Sequence, residues 1–151
     1  MDFKIFGYCM SAFKSVFVRH RLKKATKDNS QKIDFKECKY IKVFSCYDGD
    51  TITGIVRRYN RNIIIRCRIF GIDTPELRTR DPTEKEAAIK AKEYIESLIL
   101  DKIVGFEYLG EDKYGRILCK ITVGGKDLSS LMIQSGHAKE YMGGKKEPFS
   151  L

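Results

Sequence analysis

The fold of this chain is decided by residues 39–72, "KYIKVFSCYDGDTITGIVRRYNRNIIIRCRIFGI". Three runs of strand-forming residues are separated there by two short polar turns, "DGD" at 48–50 and "NRN" at 60–62. The third run alternates in "IRCRIF", which places Arg66 and Arg68 on one face of a strand. The opposite face then carries Cys67 and an isoleucine. We therefore predict three consecutive strands joined by two hairpins.

The rest of the chain adds two helices and two further strands. The segment 84–100, "EKEAAIKAKEYIESLIL", has acidic residues early and apolar residues on one face, which predicts a helix. Thr83 followed three residues later by Glu86 resembles a capping box at its start. The remaining predicted elements are strands at 102–110 and 116–125 and a short helix at 126–136.

Five half-buried strands with a long amphipathic helix after the third fit a closed Greek-key barrel of the OB type. We predict an α+β, mainly β fold: a five-stranded OB-fold barrel with two helices packed on it, plus an N-terminal amphipathic helix. Phenylalanines at helical spacing predict that additional helix. The predicted organisation is an amphipathic basic segment (1–24), a polar linker (25–38), the barrel domain (39–142) and a C-terminal tail (143–151).

The net charge of the chain is +9, and its distribution matters more than its size. Residues 1–27 hold seven basic side chains and one acidic side chain, so they account for most of the excess. The barrel domain is nearly balanced, and the total charge alone does not indicate nucleic-acid binding. The basic segment 1–24 has two interpretations that stay open: a helix packed on its own domain, or a basic amphipathic segment that lies on a membrane surface or on nucleic acid.

The five cysteines are widely spaced and form no CxxC pair, so a zinc site is not expected. Cys46, Cys67 and Cys119 lie in apolar strand-like runs and are predicted to be small buried hydrophobic residues. This usage is typical of a reducing compartment. We therefore expect an intracellular protein, in the cytoplasm, with membrane or organelle association through residues 1–24 left open.

Polar clusters occur at the strand ends, and each is ordinary as a turn when taken alone. Together they contain aspartates, arginines and a glutamate within one small barrel. Two aspartates and a main-chain carbonyl suit a hard cation such as Ca²⁺. Two arginines opposite the cation would bind a phosphodiester, and a glutamate would orient or deprotonate a water molecule. This combination favours metal-assisted phosphodiester hydrolysis.

The same residues carry a resemblance to a known family. The stretches "YDGDT", "RIFGIDTPE", "DKYGR" and "SGHAKEY" occur in this order between Tyr40 and Tyr141, and this ordered set resembles the staphylococcal nuclease (thermonuclease) family. The resemblance implies the OB-fold barrel and a Ca²⁺ cofactor. The implied residues are Asp50, Asp73 and the main-chain carbonyl of Thr74 as metal ligands, Arg68, Glu76 and Arg116 as catalytic residues, and Lys113, Tyr114 and Tyr141 as substrate-binding residues.

By this resemblance the chain would be a calcium-dependent, sugar-nonspecific endonuclease. It would act on DNA and RNA as a monomer and leave 3′-phosphate ends. One alternative is a non-catalytic OB-fold module that binds single-stranded nucleic acid. The acidic residues argue against that alternative, because carboxylates repel phosphate unless a cation lies between them. The other alternative is a membrane-surface protein that acts through residues 1–24.

Overall fold

The computed structural model describes residues 22–26 and 33–144. The chain divides into two units, Met1–Asp34 and Phe35–Leu151, and all the elements given below belong to the second. The predicted N-terminal amphipathic helix and C-terminal tail lie outside the described residues, except for residues 22–24 and 143–144. Within the described part, no helix is long and apolar enough to cross a membrane.

The second unit contains eight strands and two helices among its described residues. They are β1 (Tyr40–Cys46), β2 (Thr51–Arg58), β3 (Arg61–Ile69), β4 (Gly71–Asp73), α1 (Pro82–Ile99), β5 (Ile103–Glu111), β6 (Ile117–Val123), β7 (Lys126–Asp127), α2 (Leu128–Gln134) and β8 (Lys139–Tyr141).

Five of these strands form a closed barrel in the order β3-β2-β1-β5-β6. The neighbours in this order are antiparallel, and a parallel pairing of β3 with β6 closes the barrel, with Arg68 opposite Leu118. Closure leaves β3 and β6 with a partner on both sides. The architecture is a mainly β OB-fold with two helices, which confirms the predicted barrel.

Strand alternation in β3 separates the core from the polar face as predicted. Cys67 and Ile69 are fully buried, whereas Arg66 is exposed and Arg68 is half-buried. Because an arginine inside the barrel would be costly without a partner, this register keeps both guanidinium groups on the outer face. The largest fully buried side chains are Ile41, Ile52, Ile69, Ile72, Ile95, Ile99, Ile121, Leu128 and Met132.

Two local predictions were wrong. Helix α1 is capped by Asp81, whose carboxylate accepts a hydrogen bond of 2.9 Å from the backbone nitrogen of Thr83. Pro82 fits the first helical position because it has no N–H to satisfy, so the cap falls one residue before it and not at Thr83. The second hairpin turns at Tyr59 and Asn60, both with positive φ. Such two-residue turns match the twist of paired strands, so β3 begins at Arg61.

A small second sheet was not predicted. Strand β4 pairs with β8 in antiparallel register, with Gly71 opposite Tyr141 and Asp73 opposite Lys139. Each strand has only three residues, which is too short for a visible alternation of apolar and polar positions. The pairing brings the residues that follow α2 beside the segment that leaves β3.

Candidate active site

A polar cleft of about 720 Å³ lies on the outer face of the barrel, where strands β1 to β3 and β5 to β6 end. Seven of the nine residues implied by the resemblance line it: Asp50, Arg68, Glu76, Lys113, Tyr114, Arg116 and Tyr141. The remaining two, Asp73 and Thr74, are buried beside Arg68 and Gly49 respectively. The fold therefore brings together residues that are separated by up to 91 positions in the sequence.

Arg68 is held by three oxygen atoms at the end of β3. Its Nη1 donates to the carboxylate of Asp50, and its Nη2 donates to the carbonyl oxygen of Ile72 at 3.1 Å. Nη2 also lies 3.6 Å from Asp73 Oδ1. One planar guanidinium thus meets two buried carboxylates, which an ammonium group could not do in the same geometry.

The "DGDT" turn fixes Asp50. Asp48 Oδ1 accepts hydrogen bonds from the backbone nitrogens of Asp50 and Thr51, at 3.1 and 2.7 Å. The hydroxyl of Thr51 donates to Asp50 Oδ1 at 2.8 Å. Burial raises the pKa of Asp50 to about 6, and the charge of Asp48 adds to this effect while Arg68 opposes it. The effect of burial thus outweighs that of Arg68, and the carboxyl of Asp50 is protonated more readily than an exposed one.

Arg116 is oriented by a turn on the other side of the cleft. Its Nε donates to Asp112 Oδ2 at 2.6 Å, and its Nη1 donates to Thr51 Oγ1 at 3.0 Å. Asp112 Oδ1 also accepts from the backbone nitrogens of Tyr114 and Arg116. Burial raises the pKa of Asp112, but the hydrogen bonds from Arg116 and Tyr114 outweigh it, so this pKa is lowered.

Aromatic side chains lie beside the basic groups of the cleft. The ring of Tyr114 is exposed, and Lys113 Nζ and Arg116 Cζ lie 5.0 and 5.6 Å from its centroid. Arg68 Cζ lies 5.8 Å from the ring of Tyr141, whose hydroxyl donates to the carbonyl of Gly144 at 2.7 Å. An aromatic ring beside a cation can receive a base while the cation binds its phosphate.

Glu76 is exposed and lines the cleft just after the β4 strand. Its backbone nitrogen donates to Glu84 Oε1, in the first turn of α1, at 3.3 Å. Because Pro75 precedes it, the chain is restricted to an extended path at Thr74 and turns only afterwards. The carboxylate of Glu76 is consequently placed where solvent water reaches the cleft.

The donor set fits a hard cation. Within the described residues no three His, Cys, Asp or Glu side chains form a metal-binding group, so a calcium site would depend on the mixed set of Asp50, Asp73 and the Thr74 carbonyl. Asp50 and Asp73 already converge on one positive group, Arg68. Oxygen donors of this kind, completed by water, are those that Ca²⁺ accepts, and a divalent cation would offset the burial of Asp50.

Comparison with known families agrees with the fold. The family model for staphylococcal nuclease homologues matches residues 66–149, more than half of the chain. The chain belongs to the staphylococcal nuclease family. Family membership and the OB barrel together indicate a nuclease-like or nucleic-acid-related function. No curated protein matches the chain.

The matched range begins at Arg66 and does not include the "DGDT" turn. In the structure this turn contacts the matched range directly. Asp50 forms an ion pair with Arg68, and Thr51 accepts a hydrogen bond from Arg116. The cleft is thus built from the first hairpin of the barrel as well as from the matched part of the chain.

Two residues that orient the site were given no role by the sequence. Thr51 bridges Asp50 to Arg116, and Asp112 fixes both the backbone and the side chain of Arg116. The pair of Asp112 and Arg116 could have been predicted from the sequence, because the two residues are four positions apart across a turn. The Thr51 contact had no such signal, since its partner is 65 positions away.

Proposed function

We propose that the protein is a calcium-dependent endonuclease that hydrolyses phosphodiester bonds of DNA and RNA without regard to the sugar and leaves 3′-phosphate ends. One observation carries the proposal: two oriented arginines, the buried Asp50 and the exposed Glu76 line one cleft, and a second buried aspartate, Asp73, lies beside Arg68. A module that only binds nucleic acid has no need of buried carboxylates in a phosphate groove, because they repel the ligand.

The arginines would bind the scissile phosphate and the additional charge of its transition state. Arg116 is held on two sides by Asp112 and Thr51, so its remaining nitrogen can be directed at a phosphate without reorganisation. Arg68 lies across the cleft, between the carboxylates. When bound at Asp50, Asp73 and the Thr74 carbonyl, Ca²⁺ would supply a positive charge against the phosphate oxygens.

Glu76 would act on the attacking water. Its carboxylate is exposed in the cleft, where it can orient a water molecule and accept its proton as the oxygen attacks phosphorus. The bond from phosphorus to the 5′ oxygen then breaks, and that oxygen takes up a proton from solvent. No step uses a 2′-hydroxyl, which is why DNA and RNA are both proposed as substrates.

Lys113, Tyr114 and Tyr141 would hold the nucleotide beside the scissile bond. Tyr114 offers an exposed ring for a base, and Lys113 lies close enough for its ammonium group to meet a phosphate. We also propose an intracellular location and a monomeric state. The location is supported by the four cysteines of the described part, which are buried and form no disulfide.

The test is cleavage of end-labelled single-stranded DNA, duplex DNA and RNA by the full chain, with Ca²⁺, with Mg²⁺ and with chelator. Glu76→Gln is compared with Glu93→Gln, which alters an exposed glutamate on α1 away from the cleft. We expect calcium-dependent cleavage, and a loss of about 100-fold or more in Glu76→Gln alone. Phosphatase sensitivity of the labelled products identifies 3′-phosphate ends.

Cleavage that is equal in the two glutamate variants would contradict the role of Glu76. Binding of oligonucleotide without cleavage under any condition, by protein shown to be folded, would replace the nuclease with the non-catalytic binding module. Cleavage that is insensitive to chelator would remove calcium from the proposal.

A further inference from the structure

Two arginines outside the proposed catalytic set meet at one tyrosine on the wall of the cleft. Arg66 Cζ lies 5.2 Å and Arg78 Cζ lies 5.8 Å from the centre of the Tyr47 ring. Arg66 comes from β3, Arg78 from the loop before α1, and Tyr47 from the turn after β1. Three separate segments thus converge, and both distances are within the range of a cation–π contact.

Arg66 and Arg78 differ from the other arginines of the cleft in their partners. Within residues 22–26 and 33–144, neither Arg66 nor Arg78 forms an ion pair or a side-chain hydrogen bond. Arg68 and Arg116, by contrast, are each paired with a carboxylate. The two like charges at one ring repel each other, and an anion bound between them would remove that repulsion. Because neither guanidinium group has a side-chain acceptor among the described residues, their N–H donors are available to such an anion.

The position of Arg66 relates this group to the scissile phosphate. Arg66 and Arg68 are two residues apart on the same face of β3, which separates their Cα atoms by about 6.6 Å. That separation is of the order of one nucleotide step in an extended strand. Tyr47 and Arg66 also line the cleft that contains Asp50 and Glu76, so a strand bound at Arg68 would continue past them.

We propose that Tyr47, Arg66 and Arg78 form a phosphate subsite for the nucleotide next to the scissile bond. The two guanidinium groups bind one phosphate, and Tyr47 holds them in position. The proposal rests on the proposed function, since it concerns the same nucleic-acid strand. The subsite predicts that the protein prefers an oligonucleotide, whose next phosphate binds Arg66 and Arg78, to a compound with a single phosphodiester.

The test measures affinity in place of cleavage. A fluorescent oligothymidylate of about ten nucleotides is titrated with full-length protein in calcium buffer, and its anisotropy gives the Kd. All variants carry Glu76→Gln, so that the probe stays intact. We expect Arg66→Gln combined with Arg78→Gln to weaken binding about tenfold. The slope of log Kd against log salt should fall by about 0.7, as for the loss of one phosphate contact on a single strand.

The matched control is Arg61→Gln combined with Arg80→Gln. It removes the same charge from the same strand and the same loop, at exposed arginines that have no contact with Tyr47. Its affinity should stay within about twofold of the parent at moderate salt. Two substitutions test the role of the ring. Tyr47→Phe keeps an aromatic ring and should keep the affinity for the probe. Tyr47→Leu removes the π face and should lower that affinity.

The outcomes separate the subsite from the nuclease. If the two double variants bind the probe equally, the subsite is wrong even where the wild-type protein cleaves DNA. If the wild type never cleaves but the Arg66 and Arg78 variant alone loses affinity, the subsite stands and the nuclease proposal fails. A parent protein that does not bind the probe contradicts both.

Discussion

The guanidinium of Arg116 donates a 3.0 Å hydrogen bond to the hydroxyl of Thr51, and this bond joins the two sides of the cleft. The same hydroxyl donates to Asp50, so one buried threonine relates a proposed phosphate ligand to a proposed metal ligand. The separation of the Arg116 guanidinium from the Asp50 carboxylate therefore depends on Thr51, which carries no charge.

Thr51→Val should lower kcat about tenfold or more, because Arg116 loses an acceptor that orients it while the shape of the side chain is preserved. Thr51→Ser keeps the hydroxyl and should retain most of the rate. Steady-state kinetics on single-stranded DNA checks the pair, and urea unfolding measures the stability cost, which we expect at about 1–2 kcal/mol for the valine variant. Equal kcat in both variants would remove Thr51 from the positioning of Arg116.

Arg68→Lys should reduce cleavage by about 100-fold or more, although the charge is conserved. A lysine presents one nitrogen, whereas Arg68 reaches Asp50, Asp73 and the Ile72 carbonyl with two. Arg61→Lys, at an exposed position of the same strand, is the matched control and should cleave normally. Thermal unfolding of both variants separates a catalytic loss from a loss of folded protein, and near-normal rates for Arg68→Lys would refute the bidentate role.

The pKa of Asp50, raised to about 6 chiefly by burial, predicts how metal-free stability varies with pH. A carboxyl group whose folded pKa lies above its unfolded value of about 3.9 stabilises the fold at low pH. This stability is lost as the pH rises towards 6. At pH 7 the ionised group should therefore cost roughly 2–3 kcal/mol. Asp50→Asn cannot ionise, so with chelator present it should be more stable than the wild type at pH 7 and nearly equal to it at pH 4.

Asp112→Asn provides a control of opposite sign. The pKa of Asp112 is lowered, so its carboxylate stabilises the fold above its unfolded pKa and that stability is lost as the pH falls. The asparagine variant should therefore be less stable than the wild type at pH 7. Urea unfolding at both pH values measures the two differences. An Asp50→Asn variant that is destabilised at pH 7 would show that the bond to Arg68 outweighs the burial of the charge.

Gly49→Ala should weaken calcium binding. A Cβ atom at Gly49 would lie 2.8 Å from Thr74 Cγ2, so the segment that carries the proposed carbonyl ligand must shift. Gly105→Ala is the control, since its Cβ would lie 3.1 Å from Thr122 Cβ, far in the sequence from any proposed ligand. Calorimetric titration should give an affinity about tenfold lower for Gly49→Ala and an unchanged one for Gly105→Ala. Equal affinities would separate Thr74 from the metal.

Local pattern was enough to predict the strands, because burial repeats every second residue. The alternation in "IRCRIF" placed Cys67 in the core and Arg66 outside it, and both placements are confirmed. The barrel closure depends instead on β3 meeting β6, about 50 residues later, and no local period encodes that pairing. The β4–β8 sheet was missed for a related reason, since its strands are too short to show a pattern.

The resemblance predicted the charged residues of the site together with Thr74, Tyr114 and Tyr141. Their proposed roles remain predictions, although seven of them share the cleft. The residues that orient them could not be chosen in the same way. Thr51 acts through a contact formed by the tertiary fold, and Arg78 reaches Tyr47 from a loop with no periodic signal. Sequence patterns report which residues are buried, whereas orientation depends on contacts between distant segments.

The pairing of β4 with β8 has a consequence for the order in which the cleft is assembled during synthesis. Strand β4 ends at Asp73, and the strand that pairs with it ends at Tyr141. A chain still emerging from the ribosome carries every proposed catalytic residue well before β8 has been translated. The β4–β8 pairing, and with it the contact between Arg68 and the ring of Tyr141, can form only after β8 has been synthesised. The wall of the cleft that Tyr141 provides is therefore the last part of the cleft to be assembled.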